Sequence, residues 1–492
     1  MRGFSNSLNT KYLRKISDLK NESVSGGMWS MLGQVINFSV QILGTMVLAR
    51  VLFPEDYGLI AVVGTFTGFV AVFRDMGLTT ATIQADNLDD SLFSNIFFIN
   101  LFVGLLLTII FASTAPLVQW FYNDDRLLLV TIVSAFQFFL GSLSAQLLAL
   151  LKRSMNFKII FITQLISSVS GVVFSVFAAY LGFGYWALVI GPLFSSWFLF
   201  IYLFFLFRWI PNKPVWDPRI KSILHFGKHI TTFEVVNYLS RNLDNILIAK
   251  FFGIASLGIY NKAYTLLMMP INQIRSPLMN VALPALSTLK NENLKFSNYY
   301  LNFISVLTVL SNIIILLLII NSKEVVHIVL GPNWSESAKI FAILGIAALV
   351  QPIYGTFSLV LISLGKSKKY STWGTYNAMI IVPSFIIGIN FNLEIFAVCY
   401  VVANFITFFF SAFYVFLDSP VPVWAFFKRT VPIIAIFSLF AVITYFTAHV
   451  DGNIILSFFL KSILFTTLSV AYLVLFYKEK NILIGVIKTF KR

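Results

Sequence analysis

The chain has 492 residues, of which 58% are hydrophobic and only 11% charged, with a formal net charge of +15 and a mean hydropathy of +0.86. A soluble domain carries about 25% charged residues, so a soluble globular protein is excluded and a bilayer is the expected environment. The single cysteine, Cys399, allows no intrachain disulfide and no cysteine-based metal site.

A basic leader, residues 1–27, holds Arg2, Lys11, Arg14, Lys15 and Lys20. The apolar run behind it continues past Val47, too long for the core of a signal peptide. Further runs follow, and fourteen are expected to span: 28–50, 58–80, 92–118, 128–150, 159–180, 186–207, 229–250, 258–285, 297–320, 340–363, 371–390, 395–416, 430–448 and 454–477. Most reach ~20 residues, the length a helix needs to cross hydrocarbon, and none shows the alternation of an outer-membrane barrel strand. Gln351-Pro352 reads as a kink in the tenth span. Of the 35 Lys and Arg residues, 25 fall on the side of the N-terminus and five in the opposite loops. That asymmetry places both termini in the cytoplasm and explains the positive charge without nucleic acid. Loops are short: a basic stretch at 208–228, and an external segment at 321–339 expected to pack over helix ends. Lys461, inside the last span, reads as a snorkelling anchor.

Two pairs of motifs repeat. Leu48-Ala49-Arg50 with Gly58 recurs as Ile248-Ala249-Lys250 with Gly258, and Lys152-Arg153 before Phe157 resembles Lys366 before Tyr370. Each pair is separated by six spans, so the repeats share one orientation. The expected fold is an all-α integral membrane protein with two parallel six-helix lobes plus a C-terminal helix pair around a central cavity. The boundaries are 28–207 for the N-terminal lobe, 208–228 for a cytoplasmic linker and 229–417 for the C-terminal lobe. The extra helix pair covers 418–477 and a basic tail 478–492.

Ionisable groups inside apolar spans are costly to insert and are functional candidates by default. They gather between Phe233 and Leu286. Glu234, Asn237, Tyr238, Arg241, Asp244 and Asn245 fall within an arc of roughly 120° on a helix. Two readings fit: an ion-pair network pinning the seventh span, or the lining of a hydrated cavity. In the second, Arg241, Lys262 and Arg275 offer cations to an anionic head group, and Asp244 or Glu234 titrates or holds a cation. Lys262 is equally suited to snorkelling. Arg74 corresponds to Arg275 if the repeat takes a one-residue gap; an interfacial Arg74–Asp75 pair is the competing reading. Pro270, Pro277 and Pro284, seven residues apart, are expected to bend or break the eighth span. His225 and His229 are spaced i,i+4 but have no third ligand nearby. There is no phosphate-binding GxxxxGK[ST] loop and no supported Ser/His/Asp set, so neither a catalytic centre nor a cofactor is expected.

In this order, SGGMWS before the first span, LARVLFPEDYG at 48–58, MGLTTATIQ at 76–84 and LKRSMNF at 151–157 resemble one family. NYLSRNLDNILIAKFFG at 237–253, LGIYNKAY at 257–264, ALPALS at 282–287 and LGPNW at 330–334 extend the resemblance over nearly the whole chain. The family is the bacterial polysaccharide transporters, the O-antigen and exopolysaccharide repeat-unit flippases of the multidrug/oligosaccharidyl-lipid/polysaccharide exporter superfamily, and the likeness is nearest the colanic acid exporter-like branch. The resemblance implies export of undecaprenyl-diphosphate-linked oligosaccharide from the cytoplasmic to the periplasmic leaflet of the inner membrane by alternating access. It implies Na+ or H+ as a candidate coupling ion, and a polymerase and glycosyltransferases as partners beside membrane lipids. Arg241, Arg275, Lys262, Asn237, Asn245 and Arg74 are then the residues for the diphosphate and cavity, and Asp244 and Glu234 those for coupling. A lipid-linked peptidoglycan-precursor flippase and a cation-coupled multidrug antiporter are the alternative readings. The antiporter expects a dominant acidic cavity, whereas the charges here are mainly basic.

Overall fold

The computed structural model describes residues 19–75, 78–84, 88–215, 238, 242–448 and 453–475, and among them there is no β-strand. In chain order the helices are α1 (Leu19–Val51), α2 (Pro54–Asp75), α3 (Leu78–Gln84), α4 (Asp90–Ser113), α5 (Ala115–Tyr122), α6 (Arg126–Arg153), α7 (Phe157–Tyr180) and α8 (Trp186–Phe207). A short helix, α9, covers 242–251. Then come α10 (Ile254–Thr288), α11 (Asn293–Ile320), α12 (Ser322–Val329), α13 (Ser335–Ala348), α14 (Gln351–Tyr354), α15 (Phe357–Ser363), α16 (Ser367–Gly388), α17 (Leu393–Phe416), α18 (Val423–Thr447) and α19 (Ile454–Leu475). Among the described residues nine helices are long and apolar enough to cross a bilayer, or ten if the bent pair in the tenth expected span counts as one. Helices α2, α10 and α16 stand where the second, eighth and eleventh spans were expected. The protein is an all-helical, multi-pass membrane protein. Most of the leader, most of the 208–228 linker and the tail lie outside the described residues.

The outward faces are apolar, the reverse of a soluble protein. On α17, Val398, Val402, Ile406, Phe409 and Phe413 recur at three- and four-residue steps and are all exposed. One helical stripe therefore meets lipid, while Asn404, Thr407 and Ser411 on the other face are fully buried.

The chain forms two compact units, Met1–Gly258 and Ile259–Arg492. In the first, α1 packs on α7, α7 on α8, α8 on α6, and α6 on α4 and α2. The α7–α8 seam is built from small residues. A Cβ added to Gly191 would fall 1.9 Å from the Ser175 Oγ, and the Ser167 and Ser195 hydroxyls lie 2.7 Å apart. Close backbone approach of this kind replaces the hydrophobic drive that lipid cannot supply. Asp89 caps α4 by accepting from the Leu92 N–H at 2.7 Å. The same end of α4 holds the start of the linker: Asp90 accepts from Trp209 Nε1 at 3.0 Å and from Asn212 Nδ2 at 2.7 Å.

In the second unit, α11 packs on α13, α18 and α19, and α17 packs on α13 and α16. Phe357, fully buried, meets the rings of Trp373, Phe408, Phe416 and Phe426. The tenth expected span is bent by 42° between Pro332–Ala348 and Gln351–Ser363, at the Gln351-Pro352 step read as a kink. Gln351 Nε2 secures the bend by donating to Tyr400 Oη at 2.9 Å and Asn404 Oδ1 at 3.1 Å.

Two expectations are corrected. Pro270, Pro277 and Pro284 all lie inside one continuous 35-residue helix, α10, so they do not break it. Each proline deletes only one ladder bond, and seven-residue spacing keeps the deletions on one face, where neighbours can compensate. Lys461 does not snorkel. It is 2% exposed and donates to Glu324 Oε1 of α12 at 2.6 Å, with Ser457 Oγ donating to the same oxygen at 2.8 Å. A buried partner satisfies the ammonium that water would otherwise have to reach.

Candidate functional site

The first copy of the repeated motif opens α2 and the second opens α10, and within the first unit the two openings cross. A Cβ on Gly58 would sit 1.9 Å from the Ile254 carbonyl oxygen, and one on Gly258 would sit 1.8 Å from the Pro54 carbonyl oxygen. The contact is reciprocal, and both Pro54/Ile254 and Gly58/Gly258 are 200 residues apart. No side chain fits at either position, which is the reason glycine stands at both. Gly253, with φ +91°, supplies the left-handed turn that lets α10 start there. Beside the crossing, Lys250 Nζ donates to the Phe121 carbonyl and lies over that ring at 4.7 Å.

Of the described residues of the polar stripe, Tyr238 meets α2. Tyr238 Oη donates to the Thr65 carbonyl at 2.8 Å and sits where a Cβ on Gly68 would be, 2.1 Å away. Asp244 is 8% exposed, and its Oδ1 accepts the backbone N–H of Asn245 at 2.8 Å. Asn245 itself is half-buried. Glu234, Asn237 and Arg241 lie outside the described residues.

Each unit carries a half-buried arginine laid over a glycine. In the first, Arg74, at the end of α2, has a guanidinium nitrogen 2.8 Å from where a Gly141 Cβ would be. In the second, Arg275 of α10 is within 2.6 Å of the equivalent point on Gly355. Its Nη2 lies 3.5 Å from the Gly355 carbonyl oxygen and its Nε 3.2 Å from Met279 Sδ. Lys262, half-buried on the same helix, lies about three and a half turns away along the chain.

The glycines belong to a third repeated motif, shorter than the two seen in the sequence. Gly141-Ser142-Leu143-Ser144 matches Gly355-Thr356-Phe357-Ser358, 214 residues apart, the same offset as Lys152 and Lys366. In both copies the last serine donates back to the glycine carbonyl, at 3.2 Å from Ser144 and 2.9 Å from Ser358. The signal was legible as G-[ST]-x-S at a fixed distance before the basic motif, but four permissive residues do not stand out without the arginines above them. Chemically, each arrangement offers a planar cation with several N–H donors, the geometry that suits phosphate oxygens. Among the described residues no cluster of three or more His, Cys, Asp or Glu side chains could hold a metal.

The sequence profile described as "Polysaccharide biosynthesis protein" matches residues 47–339. The chain is 24% identical to the teichuronic acid biosynthesis protein TuaB of Bacillus subtilis (strain 168), over 72% of this chain and 74% of that one. It is 24% identical to the succinoglycan biosynthesis transport protein ExoT of Rhizobium meliloti (strain 1021), over 71% of each. Against the lipopolysaccharide biosynthesis protein WzxC of Escherichia coli (strain K12) it is 21% identical, over 75% of this chain and 76% of that one. Among solved structures, the lipid II flippase MurJ in an inward closed conformation superposes with a TM-score of 0.71 at 14% identity, covering 91% of this chain and 99% of that one. A MATE transporter in the straight conformation superposes with a TM-score of 0.54 at 15% identity, over 88% and 99%. These two likenesses establish the fold, a multi-helix membrane architecture.

Proposed function

Because the chain belongs to the polysaccharide biosynthesis protein family, we propose that it carries undecaprenyl-diphosphate-linked repeat units from the cytoplasmic to the periplasmic leaflet of the inner membrane by alternating access. Both termini lie in the cytoplasm on this reading, in keeping with the 25-to-5 division of basic residues. A relative named as a transport protein of succinoglycan biosynthesis supports transport over catalysis. A polymerase and glycosyltransferases are the partners such cargo requires.

The observation that carries the reading is Arg275, a half-buried guanidinium inside α10, at the place of the eighth expected span, laid against the Gly355 carbonyl at the break between α14 and α15. A diphosphate and its sugars cannot enter hydrocarbon without replacing the water around them. A fixed guanidinium can stand in for that water at the phosphate while the isoprenoid tail stays in lipid. Charge-assisted hydrogen bonds are worth ~1.5–3 kcal/mol, about 10–100-fold in affinity. Arg241, Lys262, Asn237, Asn245 and Arg74 complete the set of residues proposed for the diphosphate and the cavity. Asp244, a buried member of the stripe, is the coupling group for Na+ or H+, ahead of Glu234.

The test uses cells that make the glycan. Arg275→Ala and Arg241→Ala, each expressed at the wild-type level, are expected to lower surface glycan at least tenfold; normal glycan in both removes the diphosphate role. For coupling, Asp244→Asn is expected to uncouple transport from an imposed ion gradient, and an unchanged response in both Asp244→Asn and Glu234→Gln rejects the two carboxylates.

A further inference from the structure

A second site lies in the second unit, away from the arginine, and the transport reading does not use it. A cavity of about 970 Å³ opens between the ends of α11 and α13 and the helix pair α18–α19. Its wall is apolar, formed by Leu316, Ile320, Ala338, Ala342, Ala441 and Val442. Its rim carries two lysines, Lys323 and Lys339, with His327 beside them. Helix α12 builds that rim as an amphipathic surface helix. Lys323 and His327, four residues apart, face outward on one side, while Glu324, Val325 and Val326 are buried on the other. Lys339 shares its charge with Glu394 at 3.3 Å, whereas Lys323 has no acidic partner among the described residues.

Below the rim sits the buried Glu324–Lys461 pair. Glu324 lines the cavity, and its second oxygen, Oε2, is buried with no hydrogen-bond partner among the described residues. A buried carboxylate oxygen without a donor marks a place where a donor belongs. An apolar shaft within the hydrocarbon, a cationic collar at the helix ends and an unfilled acceptor below the collar together match one chemical class. We propose that this cavity is a binding site for a resident anionic phospholipid. One chain fills the shaft, the phosphate meets Lys323 and Lys339, and a headgroup hydroxyl or the water it carries donates to Glu324. A wedge of lipid here fastens α18–α19 to the rest of their unit, where Lys461 already bridges α19 to α12. The site commits to a membrane phospholipid and not to the cargo's isoprenoid tail, because the collar and the shaft suit a lipid standing in its own leaflet with its headgroup at the surface.

The experiment measures phospholipid retained per chain by native mass spectrometry, on full-length protein from two hosts, one making the glycan carrier lipid intermediates and one blocked in their synthesis. The wild type is expected to retain one more phospholipid per chain than Ala342→Trp, which fills the shaft, and to do so from both hosts. Lys323→Glu is expected to lower the retained phosphatidylglycerol several-fold while leaving phosphatidylcholine retention unchanged in nanodiscs of the two lipids. Ala441→Leu, a smaller fill from the opposite wall, guards against misfolding of the tryptophan variant and is expected to lower retention in the same direction. Equal retention by wild type and both filled variants overturns the proposal. So does retention confined to the host that makes the carrier, since the shaft then holds the cargo's tail. Lipid preference unmoved by Lys323→Glu overturns the assignment of the collar.

Discussion

Helix α6 and the broken run α13–α15 carry the same four-residue motif under the same kind of arginine, yet differ in continuity. Gly141 lies in the interior of the unbroken 28-residue α6. Gly355 lies in the gap between α14 and α15, just beyond a 42° bend. Inside a regular helix a carbonyl is already engaged by the ladder, so an arginine above it can pack but gains little as a donor. At the break the Gly355 carbonyl accepts from Ser358 Oγ at 2.9 Å, and Arg275 Nη2 also comes within 3.5 Å of it. The lesson is that duplication supplied the scaffold twice and helix breaking specialised one copy. Gln351, held by Tyr400 and Asn404, fixes the break that does so.

The largest expected contrast is between the arginines themselves. Arg275→Ala should reduce glycan export about 10–100-fold, and Arg74→Ala should reduce it by less than about tenfold; equal losses would mean the two copies are equivalent. Arg275→Lys keeps charge but loses the fork and should recover only part of the activity. At the buried pair, Glu324→Ala or Lys461→Ala alone should destabilise by about 3–5 kcal/mol, whereas replacing both with Gln and Met should recover most of it. Thermal unfolding in one detergent measures this. Gly58→Ala and Gly258→Ala each drive a methyl against a backbone carbonyl and should cost about 1–3 kcal/mol, read in the same scans.

The glycine contrast is smaller and has opposite signs. Gly141→Ala sits in a helix interior, where removing glycine gains about 0.5–1 kcal/mol, and only the flexible end of Arg74 must move. Gly355→Ala displaces Arg275 and should lower export while leaving expression unchanged. The smallest effect concerns the 122–126 turn. The hydrogen bond from Arg126 holds the Asp124 carboxyl below the usual carboxylate range, and Arg126 also reaches Glu55 at 2.5 Å. A lowered folded-state pKa stabilises above the unfolded value of about 3.9 and is lost as pH falls through the folded one. Asp124→Asn should therefore cost under about 1 kcal/mol at neutral pH and nothing in strong acid.

Much of this was legible in the sequence. Span lengths pointed to the membrane fold, Gln351-Pro352 to the bend, and Arg275 stood out as a cation deep in an apolar run. Other features required three dimensions. Glu324 and Lys461 are 137 residues apart, and nothing local tells a snorkelling lysine from a buried one. The prolines of α10 satisfied every rule for a helix breaker, but those rules describe helices whose freed carbonyls must face water. The crossing at Gly58 and Gly258 left a trace as a 200-residue repeat, which revealed duplication but not that the two copies touch.

On the proposed reading, Arg275 recognises the diphosphate of the cargo. This recognition is tested most directly by titrating purified wild-type and Arg275→Ala protein with undecaprenyl diphosphate and measuring bound ligand by native mass spectrometry. Affinity is expected to weaken about 10–100-fold in the variant, and less in Arg74→Ala. Equal affinity in wild type and Arg275→Ala would contradict this recognition.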